Sequence, residues 1–324
     1  MVLITSSTTR AKCPYCAAEF DIPKGQVFAT CPYCGTTFKV SEPTASIEHY
    51  VFTLKYDSNK AFEAARLFIS IQPGVPSDAS KNINYSSGRL YYVPIYIYEV
   101  VIDAPCIETE EVSSGEYFEA SVLGGQEAVY KLAHGSMDIP IPIPRDYPFS
   151  AQVREYFKPR FMKEAFYIQP TIDPYEQLRE IKEPYLKKSI EEAEMACPGE
   201  YRVVDKSSFK AIAHYPFWMI EYTYRGGKYR VIVDGSDGTV VYAEYPLDPM
   251  KKTRWLLIGV ACTLIALGTS QITINTAGLS TINSWLYSIL SYIGGIWVFL
   301  SRFLKKKGVY MFKPREEGVF SPPR

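Results

Sequence analysis

Two copies of the tetrapeptide Cys-Pro-Tyr-Cys lie near the beginning of the chain, at residues 13–16 and 31–34. Each copy places two cysteines three positions apart, so a tight turn can present both thiolates to one metal ion. Two such turns complete the four ligands of a tetrahedral zinc site, with zinc–sulfur distances of about 2.3 Å. The spacing therefore predicts one zinc ion held by Cys13, Cys16, Cys31 and Cys34.

Four thiolate ligands leave no coordination position for water, so this zinc is predicted to be structural and not catalytic. Two redox-active cysteine pairs, or two disulfides, are the alternative interpretation of the same residues. The spacing of the two Cys-Pro-Tyr-Cys turns, each of which is called a knuckle, favours zinc. A module of about 30 residues cannot bury enough apolar surface to fold alone. The metal is therefore expected to supply most of its folding free energy.

The segment between the two cysteine pairs, AAEFDIPKGQVFAT, predicts a small β-hairpin around Pro23-Lys24-Gly25, and TTFKV supplies a closing strand. The stretch CPYCAAEFDIP…ATCPYCGTTFKV resembles the zinc ribbons at the N-termini of many archaeal and bacterial proteins, membrane-associated ones included. The resemblance covers residues 11–40. It implies a fold and a metal, but not a task, because such ribbons serve nucleic-acid-binding, protein-binding and purely structural roles.

The far end of the chain is apolar: residues 255–301 contain no charged side chain. A bilayer core takes about 20 helical residues, so two membrane spans are predicted, at 255–275 and 282–303. A buried helical hairpin in a soluble core is the alternative, although such helices normally have a polar face. Basic residues flank the spans, and the connection TAGLST has none. The positive-inside rule then places both termini, with the tail 304–324, in the cytoplasm.

The region between ribbon and anchor is predicted to be a duplicated α+β unit, residues 47–135 and 151–246. YVPIYIYEV (92–100) and HYPFWMIEY (214–222) share a proline followed five positions later by a glutamate, and a strand and a helix precede each. The Pro-rich segment 136–150 joins the two copies. It is interpreted as an extended spacer, with a polyproline ligand as the alternative.

The end of the second copy, YPFWMIEYTYRGGKYRVIVDGSDGTVVYAEYP, predicts two hairpins, one turning at Gly226-Gly227 and one at residues 234–238. This stretch resembles PepSY-like domains, which are small helix-plus-hairpin modules often attached to membranes. The resemblance covers about 40 residues. It implies a role as regulator of a membrane enzyme.

The sequence offers little for catalysis. Hydrolase, metalloprotease and dinucleotide-binding motifs are absent, and the three histidines lie in three different segments, so no catalytic residue and no small-molecule substrate is predicted. The equal numbers of basic and acidic residues, 35 each, give no global field that favours nucleic acid. The cysteines outside the ribbon, at positions 106, 197 and 262, are too scattered for a disulfide framework.

The sequence therefore predicts an α+β multidomain chain with an N-terminal zinc ribbon (1–42), the duplicated region and a C-terminal transmembrane hairpin (255–303). The predicted function is a non-enzymatic adaptor, anchored in the cell membrane by two spans, that binds the lipid bilayer and a protein partner from the cytoplasmic side. A membrane-tethered nucleic-acid-binding protein is an alternative, weakened by the few cations in residues 1–40. The PepSY-like regulator is the other.

Overall fold

The computed structural model describes residues 8–107, 126–135, 140–149, 153–197, 199–248 and 307–313. Within these residues the chain is a mixed α+β protein, as predicted, and most of its regular structure is strand. The helices are α1 (Ser58–Ser70), α2 (Ala79–Asn82), α3 (Phe161–Glu164) and α4 (Pro174–Ala196). The strands are β1 (Thr8–Lys12), β2 (Glu19–Pro23), β3 (Phe28–Thr30), β4 (Thr37–Lys39), β5 (Glu42–Phe52), β6 (Asn84–Asp103), β7 (Gln126–Leu132), β8 (Arg154–Tyr156), β9 (Phe166–Tyr167), β10 (Val204–Asp205), β11 (Ser208–Tyr224), β12 (Gly227–Asp234), β13 (Val240–Pro246) and β14 (Lys307–Met311).

Two long strands, β6 and β11, form the centre of the large sheet and pair antiparallel along most of their length. Side chains alternate between the two faces of a strand, and both strands are apolar on both faces. Tyr96 and Tyr98 of β6 are completely buried on one face, and Val93 and Ile95 are buried on the other. Both faces of β6 therefore contribute side chains to the core.

The two longer helices begin at aspartate caps. Asp57 accepts a hydrogen bond from the backbone N–H of Lys60, and Asp173 accepts from Tyr175 and Glu176. Helix α1 packs Ala61, Ala65 and Ile69 against β11, β12 and β13. Helix α4 packs against β6 and β11, so both helices contact the central pair of strands.

Residues 140–149, which belong to the predicted spacer 136–150, pack against the sheet. Ile141, Ile143, Tyr147 and Phe149 are buried in the same cluster as Val93, Ile95 and Phe217. The spacer interpretation is therefore wrong for these residues. Prolines at positions 140, 142 and 144 keep the segment extended, and the apolar residues between them and after them fill the sheet face that the helices leave open.

The hairpin between β11 and β12 turns at Arg225-Gly226, one residue before the predicted Gly226-Gly227. Tyr224 pairs with Gly227, and both loop residues have positive φ, at 46° and 76°. Two consecutive positive φ angles are required by the type I′ turn, whose twist matches that of the flanking strands. The glycine at position 226 meets this requirement at the second loop position.

The ribbon and the large sheet are continuous. Strand β4 pairs with β5 at Thr37–Ile47 and Phe38–Ser46, and β5 then pairs in parallel with β11 from Ala211 to His214. The predicted boundary between residues 42 and 47 therefore lies inside one strand. Because β5 belongs to both parts, the ribbon is attached through backbone hydrogen bonds to the N-terminal half of β11.

The last described strand, β14, pairs antiparallel with β13, so that Lys307 lies opposite Pro246. The predicted transmembrane hairpin (255–303), and most of the tail 304–324, fall outside the described residues. Among the helices that the structure describes, none combines the length and apolar character needed to cross a bilayer.

Candidate metal centre

The two Cys-Pro-Tyr-Cys turns have the same backbone geometry. In the first, the N–H of Cys13 donates to the carbonyl of Ala18, and the N–H of Ala17 donates to the carbonyl of Cys13. In the second, Cys31 donates to Thr36, and Gly35 donates to Cys31. The residue after the second cysteine takes a left-handed conformation in both turns, with φ of 59° at Ala17 and 82° at Gly35. Each turn thereby directs its two sulfurs to one side.

The hairpin that joins the turns brings the four sulfurs together. Cys13 Sγ lies 3.6 Å from Cys34 Sγ, and Cys16 Sγ lies 3.7 Å from Cys31 Sγ. All four sulfurs lie within 4.8 Å of one another. A tetrahedron with zinc–sulfur bonds of about 2.3 Å has edges of about 3.8 Å, so the cluster fits a tetrathiolate metal ion. The same distances are far longer than a disulfide bond of about 2.05 Å.

The thiols differ in acidity. Burial raises the pKa of the Cys31 thiol to about 12. Burial acts in the same direction on Cys34, but hydrogen bonds from the hydroxyl and backbone N–H of Thr36 outweigh it and lower that pKa to about 6. A cluster with one readily formed thiolate attracts a metal cation, and the cation then displaces the remaining protons.

The two knuckle tyrosines point away from the cysteine cluster into solvent. Tyr15 is 82% exposed and Tyr33 is 67% exposed, whereas Cys13 and Cys31 are buried beneath them. Tyrosine presents a large apolar ring with a polar tip and is enriched where proteins contact partners. The metal site therefore displays two aromatic rings at the end of the ribbon.

A pair of buried histidines lies behind the ribbon, where the sequence predicted only isolated residues. His49 Nε2 lies 2.9 Å from His214 Nδ1, although the two residues are 165 positions apart. The ring of Phe157 stacks on His49, and that of Tyr167 stacks on His214. Burial lowers the pKa of both imidazoles, and lowers that of His214 to about 3, so both rings are neutral at physiological pH.

The hydrogen bonds of this pair fix both tautomers. His214 Nε2 donates to the carbonyl of Ile168, so its Nδ1 accepts from His49 Nε2. His49 Nδ1 must then accept from the hydroxyl of Thr37, 2.7 Å away. Thr37 in turn accepts from the hydroxyl of Thr30, the residue before Cys31. Every imidazole nitrogen in this chain of hydrogen bonds is used, so the histidines join the ribbon to the sheet and offer no free atom for catalysis.

A second buried polar group lies in the turn of residues 234–238. Asp234 accepts hydrogen bonds from the hydroxyl of Tyr147 at 2.7 Å and from the backbone and hydroxyl of Ser236. Burial, reinforced by Asp237, raises the pKa of its carboxyl group to about 6. This turn therefore anchors residues 140–149 on the sheet, a role beyond that of the simple turn predicted from its sequence.

Cys106 and Cys197 form a disulfide that joins the end of β6 to the end of α4 across 91 positions. The prediction of scattered cysteines without disulfides is wrong for these two residues. One weak signal is present in the sequence, because each cysteine adjoins a proline. Backbone bonds reinforce the junction: Ile107 donates to Glu200, and Arg202 donates to Pro105.

No protein-family model, curated protein or solved structure matches the chain. The resemblance to PepSY-like domains therefore has no support. The interpretation of the ribbon depends on its own geometry, which brings together all four predicted ligands.

Proposed function

We propose that this chain is a membrane-anchored, non-enzymatic adaptor that presents a zinc ribbon to a protein partner. The observation that carries the proposal is the pairing of β13 with β14. Pro246 and Lys307 lie opposite each other, so the intervening chain, with its charge-free run 255–301, leaves and re-enters the sheet at one place. This arrangement suits a helical membrane hairpin, because the two ends of such a hairpin lie side by side.

Zinc is the metal that we propose for the cysteine cluster. Four thiolates at tetrahedral distances are the donor set of structural zinc sites, and they leave no position for a substrate or water. The metal would hold Cys13, Cys16, Cys31 and Cys34 together, and thereby fix the orientation of the exposed tyrosines.

The proposed contact surface for a protein is the tyrosine pair, Tyr15 and Tyr33. Exposed tyrosines on a rigid support lose little conformational entropy on binding, which makes them effective contact residues. The described polar clusters of the sheet support a non-enzymatic role. The His49–His214 pair and the Asp234 carboxyl group are buried and hydrogen bonded, so neither presents a reactive group at the surface.

Two observations bear on the side of the membrane. The basic residues that flank the predicted spans favour a cytoplasmic position for both ends, and this is the orientation that we propose. The Cys106–Cys197 disulfide points the other way, because disulfides persist mainly in oxidising compartments and, as an exception, inside hyperthermophiles. A topology measurement is therefore essential: in intact cells, a cysteine at position 278 should react with an impermeant reagent, and one at position 321 should not.

A nucleic-acid-binding ribbon is the second candidate, and the exposure of Tyr15 and Tyr33 favours it, since bases stack on aromatic rings. The cations of the ribbon are few, however. Arg10 is paired with Glu19, and Lys39 lies over the ring of Tyr175. Binding to single-stranded DNA that weakens steeply between 50 and 200 mM salt would favour this candidate over the adaptor.

We also infer that the central region arose by duplication. Val93 pairs with Tyr215 and is flanked by the pairs Tyr92–Pro216 and Pro94–His214, so exchanging the two strands superposes Pro94 on Pro216. The strand that precedes the longer helix of each copy supports the same relation. Strand β5 pairs in parallel with β11, and β9 pairs in parallel with β6.

Membrane extraction of the full chain tests the proposed function. The chain should stay in the membrane pellet after washing at alkaline pH and should float with vesicles on a density gradient. A matched control replaces residues 249–306 with a two-residue Asn-Gly turn, which the pairing of Pro246 with Lys307 permits. The control should be released into the soluble fraction with its metal still bound. Release of the full chain by the alkaline wash would refute the proposal.

A photo-crosslinking amino acid at position 15 tests the adaptor role in the same membranes. It should give discrete protein adducts, whereas the same amino acid at Val153, which is exposed on a different part of the chain, should not. Equal adducts at both positions would show that the tyrosine surface is not selective.

A further inference from the structure

Helix α1 has an outward-facing stripe that changes character along its length. Lys60 and Glu63 occupy its first half, and Leu67 and Ile71 continue it at and just beyond the end of the helix, where they are 66% and 78% exposed. An outer helix face in water is normally polar throughout. Isolated exposed apolar residues are common, so the position of these two side chains in the fold decides what they mean.

The apolar end of α1 lies beside the point where the chain leaves the sheet. The backbone N–H of Asp248 donates to the carbonyl of Gly74 at 2.8 Å, three residues after Ile71. The side chain of Leu247 also comes close to Gly74. On the neighbouring strand β14, the ring of Tyr310 packs against Phe68 of α1, with centroids 4.6 Å apart. Leu67 and Ile71 therefore adjoin both ends of residues 249–306.

Basic groups surround the same end of the sheet. Lys307 opens β14, and its ammonium group donates to the carbonyl of Lys228 while it pairs with Glu244. Arg225, at the tip of the neighbouring hairpin, is paired with Asp78. An apolar tip bordered by lysine and arginine is the pattern of segments that lie in the headgroup layer of a membrane, where the apolar side chains enter and the cations meet the phosphates.

We propose that Leu67 and Ile71 insert into the headgroup layer of the bilayer and fix this end of the sheet on the membrane surface. The inference rests on the proposed membrane anchor, and the occupant of the surface is the lipid bilayer itself. The chain leaves the sheet after residue 246 and returns at residue 307. If residues 249–306 enter a bilayer, the surface beside these two points lies within reach of the lipid. The apolar end of the stripe is on that surface, and its polar half lies one or more helical turns farther away.

Photo-crosslinking to lipid tests the proposal in the full chain, reconstituted in vesicles of phosphatidylglycerol and phosphatidylcholine. Benzoylphenylalanine at position 71, and separately at position 67, should give lipid adducts detected by mass spectrometry. The matched control is position 195, because Met195 is 82% exposed and lies near the end of α4 next to the disulfide, at the opposite end of the sheet. We expect at least about tenfold more adduct at 71 than at 195.

Flotation of the same samples distinguishes the membrane anchor from the contact of Leu67 and Ile71 with the headgroup layer. Floating vesicles with equal lipid adducts at positions 71 and 195 would overturn the headgroup contact and leave the anchor intact. A chain that does not float would overturn the anchor and the contact together. A second position on the stripe sharpens the result: Glu63 lies one turn before Leu67, and benzoylphenylalanine there should give fewer lipid adducts than at position 67.

Discussion

The ribbon and the central sheet differ in how much apolar surface each encloses. The ribbon buries a small cluster, Ile22, Ala29 and Phe38, beside its four cysteines. The sheet buries large clusters on both faces, including Tyr215 and Phe217 on one and Ile220 and Tyr222 on the other. A short hairpin cannot offset its chain entropy with three buried side chains, whereas a broad sheet can. We therefore expect the ribbon to depend on a bound metal and the sheet to depend on the burial of apolar side chains.

The seam between the two parts consists of backbone pairing and neutral hydrogen bonds. Strand β5 pairs with both, and Thr30 and Thr37 of the ribbon are linked to His49 and His214. If stability is divided as described, removing the metal should affect the ribbon and leave the sheet folded. Damage to the sheet core should have the reverse effect.

Loss of a metal ligand should have the largest effect. Cys31→Ser removes one of four thiolates, and structural zinc contributes about 10–16 kcal/mol of apparent binding free energy to such modules. We expect the metal content to fall from one zinc per chain to none. The amides of residues 8–40 should then exchange rapidly with solvent while those of β11 stay protected. Elemental analysis and hydrogen exchange measure the two outcomes.

The matched control for this experiment is Tyr33→Ala, which lies in the same knuckle but is exposed, and it should keep its zinc. Protected ribbon amides in a metal-free Cys31→Ser chain would show that apolar packing alone holds the ribbon. Exchange of the β11 amides together with those of the ribbon would show that the two parts unfold as one unit.

A cavity in the sheet core should have the next largest effect. Phe217 is completely buried among Tyr147, Phe149 and Tyr215, so Phe217→Ala should lower the free energy of unfolding by about 3–5 kcal/mol. Urea unfolding followed by tyrosine fluorescence measures this change. The exposed Val153→Ala is the control and should change it by less than about 0.5 kcal/mol. Zinc content should be unchanged in both variants under native conditions, and loss of zinc from Phe217→Ala would argue against independent stabilisation.

Removing the disulfide should have a somewhat smaller effect on the sheet. The bond closes a loop across 91 positions, so replacing Cys106 and Cys197 with serine should lower the free energy of unfolding by about 2–4 kcal/mol. Adding a reductant to the native chain should reproduce this loss and should not change the double variant. Thiol trapping in freshly lysed cells gives the decisive measurement, because alkylation of both cysteines would show that the bond does not form in the cell.

Acid should have the smallest effect, and it should act at the seam. Both histidines have folded pKa values below the usual 6.5, so the unfolded chain takes up protons first as the pH falls below 6.5. Stability is then lost by up to about 1.4 kcal/mol per pH unit for each histidine. Asp234 has the opposite sign, because its folded pKa of about 6 lies above the usual 3.8 of an aspartate. Between pH 6 and 5, the stability gained from protonation of Asp234 offsets the stability lost from about one histidine.

The variant Asp234→Asn separates these contributions. The native chain should lose about 1–1.5 kcal/mol between pH 6 and 5, and the variant should lose roughly twice as much, because the opposing carboxyl group is gone. Urea unfolding at pH 6.5, 6.0, 5.5 and 5.0 gives the slopes. Equal slopes for the two chains would mean that Asp234 stays ionised in the folded state down to pH 5.

The cluster of four cysteines could be predicted from the sequence because its geometry is local. A Cys-x2-Cys turn sets the distance between its two sulfurs. The hairpin of 14 residues between the two cysteine pairs is short, so it limits how far apart the pairs can lie. The helix starts at Asp57 and Asp173 could be predicted for the same reason, since a cap involves residues two or three positions apart.

The buried His49–His214 pair and the disulfide could not be predicted, because each joins residues that only the order of the strands brings together. His49 meets His214 through the parallel pairing of β5 with β11. Residues 140–149 show a different limit. Alternating proline and isoleucine indicates an extended chain, but the pattern does not say whether the isoleucines face solvent or a sheet.

The length of β11 sets the distance between the ribbon and the end of the sheet where the chain leaves toward the proposed membrane anchor. From Ala211, where β5 and the ribbon attach, to Tyr224, beside the hairpin that adjoins Lys307, the strand advances about 40 Å at roughly 3.3 Å per residue. In a membrane-anchored chain this strand would hold the metal site several Debye lengths above the lipid charges, since screening reduces their field within about 8 Å in physiological salt. A partner that lies flat on the bilayer would pass beneath the two tyrosines, and only one that rises to their level could reach them.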